Sequence, residues 1–306
     1  MTLATLRPAP HFRLLMCPPR HFAVTYSINP WMDPQKWADG ATDLRASAAR
    51  QWSALRSALR KAGATIEAVA PAEGLPDLVF TANAAVVLDR KALLARFRHP
   101  ERQNEQPVFA AAFRALAARG LIDTVIEPPE EIVLEGAGDC IFDKRRGLFW
   151  LGSGFRSDAA AARLVEETFG VPCLALTLSD ASYYHLDTAL CALPCGGMIY
   201  YPAAFSASAL DLIHSQVAPH ERIALDAADA ARFAANAVCV GRAVVLSSCG
   251  EVLRRRLEER GYSVVETPLS AFMRSGGSAC CLTLRLDHVS DAAAAEMPAR
   301  RAAGAR

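Results

Sequence analysis

The chain has no apolar run near the roughly 18 residues that a membrane-crossing helix needs, and its first twenty residues hold no apolar stretch of signal-peptide length. Membrane association and secretion are therefore not expected. Charge of one sign is not in excess either: 33 Lys and Arg stand against 32 Asp and Glu, a formal net of +1. That balance offers nothing to neutralise a nucleic-acid backbone or to hold an anionic bilayer. The nine cysteines, at 17, 140, 173, 191, 195, 239, 249, 280 and 281, include no Cys-x-x-Cys pair. The 191/195 pair has no second Cys or His pair at zinc spacing. An odd count without a secretory leader points to reduced thiols in a cytoplasmic protein rather than a disulfide framework. Gly-rich phosphate loops, Gly/Ser linkers and low-complexity blocks are missing as well, so neither a metal nor another cofactor is expected.

What is present suits a folded protein. Hydrophobic residues make up 52% of the 306, enough apolar surface to offset the entropy of ordering the chain. Without an internal linker, one continuous domain is expected over residues 11–288, between mobile tails at 1–10 and 289–306. Apolar residues recur at three- and four-residue spacing over 42–62, 105–119, 158–169, 207–217, 226–235 and 250–261, which predicts helices. Between them lie short strand-like runs, several in pairs split by a polar or Gly-containing turn. Examples are AAVVLD-R-KALLAR, DCIFDKRRGLFWLG, DTALCALPCGGMIYYP and NAVCVGRAVVLSSC.

These hairpins repeat. A polar residue opens each one, at Asn83, Asp139, Asp187 and Asn236, and the last strand, CLTLRL, begins at Cys281. The steps are 56, 48, 49 and 45 residues. A helix and a short strand follow each hairpin, so five ββαβ units fill the chain. FRLLMC at the N-terminus can pair with the final strand and close a ring. The fold class expected is α/β, a five-bladed propeller of ββαβ repeats whose hairpin openings converge on one end of a central channel. Polar residues often open hairpins for no functional reason, but five at near-constant period are harder to dismiss.

The converging residues carry chemistry. Cys281 follows the flexible Gly276-Gly277 pair, and a thiolate there is the strongest nucleophile the chain offers. A single Cys is more often a small buried hydrophobe, and Cys280 is the natural decoy, pointing the other way in an extended segment. His185 and Asp187 share one side of a strand if the segment is extended. Glu135 and Asp139 frame a Gly-rich turn that can orient a histidine. Asn83 and Asp77 complete a set of acceptors suited to a planar guanidinium with its five donors. Arg156 is the one cation placed to grip an amino-acid carboxylate, unless it is an ordinary surface arginine.

These residues resemble those of the guanidino-group-modifying superfamily of arginine deiminases, dimethylarginine dimethylaminohydrolases and amidinotransferases, which have the pentein fold. Within it the arginine dihydrolase group is the most similar. The segments that carry the resemblance run from about Phe12 to Leu286: LLMCPPRHFAVTYSINPWMD, PDLVFTANAAVVL, RFRHPERQNEQPVF, LEGAGDCIFD, GSGFRSD, YYHLDTALCALP, YYPAAF and GGSACCLTLRL. The resemblance implies a five-bladed α/β propeller and a nucleophile in GG-x-x-x-C-x-[ST], which selects Cys281 over Cys280. It implies the His of an H-x-D motif at His185 with Asp187, a histidine-orienting acid at Glu135, and a carboxylate-binding arginine at Arg156. Asp139 closes a turn one residue longer than the deiminase EGGD. Where deiminases carry F-x-x-D, this chain has Phe80-Thr81-Ala82-Asn83, and the dihydrolase group is similar in carrying Asn there. Asn29 in INPW matches that group as well.

The implied chemistry is hydrolysis of the guanidino group of arginine. Asp187, Asn83 and Asp139 hold the guanidinium, with Asn29 and Asn236 beside them. Cys281 attacks the central carbon, and His185, steadied by Glu135, protonates the leaving amine. A cationic imidazole near Cys281 is expected to lower the thiol pKa. Loss of one negative charge at Asn83 tolerates a neutral ureido intermediate, which favours a second hydrolysis and places arginine dihydrolase first. Arginine deiminase, dimethylarginine dimethylaminohydrolase and amidinotransfer follow. A non-catalytic propeller that binds a partner is the alternative of another class. The expected partner is a small guanidino compound, arginine or a derivative, and the sequence is also compatible with a homo-oligomer.

Overall fold

Strands β1 (Phe12–Met16) and β2 (Ala64–Ala68) lie parallel in one sheet, joined by the helix Ala41–Lys61. Parallel neighbours cannot be joined by a tight turn, so a crossover element is required. The helix buries Ala48, Trp52, Leu55 and Leu59, three or four residues apart, and turns its arginines outward. The computed structural model describes residues 12–295, and the tail expected at 1–10 lies outside the described residues.

The same unit recurs. Strands β3 (Ala85–Leu88), β4 (Lys91–Leu94) and β5 (Thr124–Ile126) form the second sheet. Strands β6 (Cys140–Asp143), β7 (Leu148–Ser153) and β8 (Cys173–Thr177) form the third. The fourth holds β9 (Leu190–Ala192), β10 (Met198–Tyr200) and β11 (Arg222–Ala224). The fifth holds β12 (Val238–Val240), β13 (Ala243–Leu246) and β14 (Ser263–Glu266). In each, the first two strands pair antiparallel and the third returns parallel after a helix: Glu105–Ala118, Ala161–Phe169, Ala207–Gln216 or Glu251–Glu258. The last strand, β15 (Leu284–Arg285), pairs antiparallel with β1, so the first sheet is completed by the two ends of the chain. The ring closure expected from FRLLMC is thus observed, and the fold is the five-bladed α/β propeller.

The first strands, β3, β6, β9, β12 and β15, surround the axis. Val86, Cys140, Leu190, Val238 and Leu284, one from each sheet, line a single cavity of about 170 Å³ at one end of the channel. Strand β7 is buried along its whole length because neighbouring elements cover both of its faces.

The sequence reading departs from this architecture in four places. Strands β5 and β11 are three residues long and partly exposed, too short for a periodic pattern. The helix expected over 226–235 spans only Ala227–Ala231. Of the tail expected over 289–306, residues 289–295 are described: Ser290 bonds Asp89 through its backbone N–H and hydroxyl, and 291–295 are helical, while 296–306 lie outside the described residues. Finally, the hairpin-opening residues do not sit in strands. Asn83 lies in the 3₁₀ turn Thr81–Ala84, Asp139 ends the turn Gly136–Gly138, and Asp187 lies in the helical turn Leu186–Ala189.

Candidate active site

Those single turns face the other end of the channel. Around a small polar cavity of about 10 Å³ they bring together Asn29, Asp77, Asn83, Arg156, His185 and Cys281. A ring of bonds between successive blades holds the turns in place. The Asn83 side chain donates to Glu135 O at 3.2 Å, Leu186 N–H donates to Asp139 Oδ1 at 3.0 Å, and Asn236 donates to Asp187 O at 3.0 Å. The Cys280 and Cys281 N–H groups donate to Asn236 Oδ1, and Ala82 N–H donates to Cys281 O at 3.2 Å. These orphan backbone groups are buried and must be satisfied. At three of the five openings, Asn83, Asp139 and Asn236, a polar side chain satisfies them.

One of the turns depends on two glycines. Gly136 has φ +63°, and a β-carbon there would lie 2.7 Å from Ala82 O. A β-carbon on Gly138 would lie 2.1 Å from the Asn83 amide nitrogen, so the EGAGD turn is shaped to the Asn83 side chain.

On one wall, His185 Nε2 lies 2.8 Å from Glu135 Oε2. The same oxygen accepts from Arg156 at 3.0 Å, and the other accepts Arg98 N–H. Burial opposes ionisation of Glu135, but Arg156 and His185 outweigh it and hold the carboxyl well below the usual carboxylate range. An ionised Glu135 selects the His185 tautomer with hydrogen on Nε2, leaving Nδ1 to take and return a proton. Opposite, the Cys281 thiol lies 3.1 Å from Asp187 Oδ2 and 3.0 Å from the Asn236 amide nitrogen. Burial pushes the Asp187 carboxyl up to about 7, against the bonds it accepts from Cys281 and Asn236, and its Oδ1 is buried without a partner. Burial and the Asp187 charge also push the Cys281 thiol well above its ordinary value. The thiol depressed by an imidazolium, expected from sequence, is therefore not observed. Desolvation next to a carboxylate outweighs any such effect.

Glu135, not Asp139, is the acid on His185. Asp139 does not line the cavity, because Ser157 takes its Oδ2 at 2.7 Å and Leu186 N–H takes its Oδ1. Burial raises it to about 6. Asn236 and Asp187 are likewise absent from the cavity wall, the Asn236 amide being consumed by the Cys280–Cys281 loop and Asp187 lying behind the Cys281 thiol. His185 and Asp187 do not share a strand face, since the backbone is extended at His185 and helical from Leu186. Cys280 and Cys281 diverge, but from a turn rather than a strand: Cys280 lines the distal cavity and Cys281 the polar one. Arg156 is buried over the Tyr184 ring, 4.4 Å from its centroid, and is no surface arginine. Asn29 donates to Ser275 O at 3.1 Å and borders the cavity, as expected.

A second cation escaped the sequence reading. Arg102 is buried, forms a two-pronged ion pair with Glu105 at 2.9 and 2.8 Å, and donates to Asn83 Oδ1 at 2.9 Å. Its Arg-x-x-Glu spacing on a helical turn was the available signal. Asp77 accepts from Tyr26 at 2.8 Å and from Ser275 at 3.2 Å.

A family model for eukaryotic N,N dimethylarginine dimethylhydrolase matches residues 19–287. The chain belongs to this family. The dimethylargininase family sits in the guanidino-group-modifying superfamily expected from the motifs. The chain is 40% identical over 278 residues to the bifunctional arginine dihydrolase/ornithine cyclodeaminase ArgZ of Synechocystis sp., across 91% of this chain and 38% of ArgZ. It thus spans well under half the length of that relative. It is 35% identical over 274 residues to the N(G),N(G)-dimethylarginine dimethylaminohydrolase of Mycobacterium tuberculosis, covering 90% of this chain and 85% of that protein. The crystal structure of the ArgZ N-terminal domain bound to substrate matches with a TM-score of 0.85 at 39% identity, over 91% of this chain and 99% of that domain. An asparagine-to-serine variant of that domain, with a TM-score of 0.85 at 39% identity over 91% of this chain and 98% of the other, holds a covalently bound reaction intermediate.

Proposed function

We propose that the chain hydrolyses the guanidino group of L-arginine twice, releasing ornithine, carbon dioxide and two ammonia molecules. One observation carries this reading. The wall shared by Cys281 and His185 presents an uncharged amide, Asn83, whose oxygen is bound by Arg102 and whose nitrogen is bound by Glu135 O. A carboxylate at that place would favour cationic arginine over neutral citrulline. The amide accepts both, so the ureido product of the first hydrolysis can react again. The likeness to ArgZ and to its substrate-bound N-terminal domain supports the same reading.

The steps follow from the positions. The free enzyme holds Cys281 as a thiol. A guanidinium entering the cavity brings a positive charge beside it and favours the thiolate. The thiol proton passes to Asp187 Oδ2, and the partnerless Oδ1 accepts a guanidinium N–H. Sγ attacks the central carbon, the thiol proton is relayed from Asp187 through His185 Nδ1 to one amino group, and ammonia leaves a thiouronium on Cys281. His185 then deprotonates water, which attacks the same carbon and expels the thiolate. Citrulline results, and a second cycle with a second water cleaves the ureido group. Arg156 engages Glu135 and Ile28 O with two of its five N–H donors, which leaves three to meet the substrate carboxylate.

The test is a product assay on purified protein with L-arginine. Ornithine with two ammonia per arginine is expected, and citrulline with one would make the chain a deiminase. Hydrolysis of methylated arginines in place of arginine would support the second reading, a dimethylarginine dimethylaminohydrolase, which the family match favours.

A further inference from the structure

Asn236 opens the fifth blade yet touches no part of the substrate cavity. It is fully buried, and its amide is divided between two tasks. One amide atom accepts the N–H groups of Cys280 at 2.9 Å and Cys281 at 3.2 Å. Two backbone donors on one atom identify it as the oxygen, so the nitrogen must be the atom 3.0 Å from Cys281 Sγ. That nitrogen also donates to Asp187 O. A donor aimed at sulfur is worth most when the sulfur is an anion, because hydrogen bonds to charged groups are about twice as strong as neutral ones. The Ser278 backbone also favours the thiolate, but the other side chains close to the thiol do not. Asp187 is an acceptor, and Cys280 and Tyr184 contribute no positive charge. The cations Arg102 and Arg156, with His185 and Asp77, line the same cavity.

We propose that Asn236 is the positioning residue of the nucleophile: its oxygen sets the Cys280–Cys281 loop, and its nitrogen supplies the side-chain hydrogen bond that stabilises the Cys281 thiolate. This rests on Cys281 being the attacking group but not on which guanidino compound is attacked. Substrate binding should therefore survive its loss while thiolate formation suffers.

The experiment measures the pH dependence of Cys281 alkylation by iodoacetamide, followed on the Cys281 peptide by mass spectrometry, for wild type, Asn236→Asp and Asn236→Ala. Asn236→Asp keeps the shape and the acceptor for the loop but removes the donor and adds a charge. Its alkylation midpoint is expected to rise by at least one pH unit, a tenfold slower reaction at fixed pH below the midpoint. On the substrate that the wild type turns over, kcat should fall at least tenfold with KM within about threefold. Asn236→Ala should show a smaller midpoint shift and a looser loop. An unchanged alkylation profile in a folded Asn236→Asp protein would overturn the proposal. Loss of the folded state in both variants, seen by circular dichroism, would overturn it too and assign Asn236 to the architecture alone. Alkylation needs no arginine turnover, so failure of the dihydrolase reading leaves this test intact.

Discussion

Cys281 and Cys280 are neighbours in sequence that line different cavities, and they should respond differently to the same substitution. Cys281→Ser is expected to abolish turnover with the fold retained, as activity and circular dichroism would show. Cys280→Ser should keep most activity. Asn83→Asp restores a negative charge facing the substrate, so the citrulline-to-ornithine ratio should rise when products are quantified by chromatography. Asp187 provides a pH signature. Its carboxyl is raised from the ordinary 3.8 to about 7 by burial, so it binds a proton in the folded state over a range where the unfolded chain has lost it. The stability it contributes is fully present below about pH 4 and is lost as pH rises toward 7. Asp187→Asn lacks this loss. Its stability relative to wild type should therefore climb between pH 5 and 7, by roughly 1.4 kcal/mol for each unit of pH. Urea denaturation at the two pH values would measure it, and a pH-independent difference would refute the assignment.

The short turns that open the blades matter more to the site than the strands they precede. The EGAGD turn wraps the Asn83 amide with no room for a β-carbon at Gly138. Gly138→Ala leaves the backbone in an allowed region but displaces that amide from Glu135 and Arg102. A fall in kcat/KM of at least tenfold with a small change in melting temperature is expected from steady-state kinetics and calorimetry. These turns were visible in the sequence only as polar residues at near-constant period. The repeat showed that they converge. It could not show that each opens as a helical turn, because three or four residues are too few for a helical period to register. Asp139, Asp187 and Asn236 were grouped with the cavity for the same reason. Equal spacing marks equivalent places in the fold, and at three of the five the side chain is spent on another blade.

Closure of the ring couples the two ends of the chain to the site. Strand β1 pairs with β15 on one side and β2 on the other, and Leu15 O accepts the Thr81 hydroxyl at 2.8 Å, bracing the turn that carries Asn83. Leu15→Ala removes a fully buried side chain from the cluster under the first and second sheets and should cost about 2–5 kcal/mol in chemical denaturation. A chain beginning after Met16 should lose both cooperative unfolding and turnover. Retention of either would mean that the ring does not need its N-terminal strand.

The five-fold repeat and the candidacy of Cys281, His185 and Glu135 were legible before any coordinates, because periodicity and motif spacing are properties of the chain read in order. Contacts between blades are not. The pairing of Glu135 rather than Asp139 with His185, the burial of Arg102 against Asn83 and the diversion of Asn236 to the thiol each join residues 19 to 50 positions apart. The raised Cys281 thiol is likewise a result of the assembled core, since burial and the approach of Asp187 arise only when the third and fifth openings meet at the channel. Residue types set which chemistry was available. Distances across the channel, imposed by packing five sheets around one axis, decided which side chains took it up.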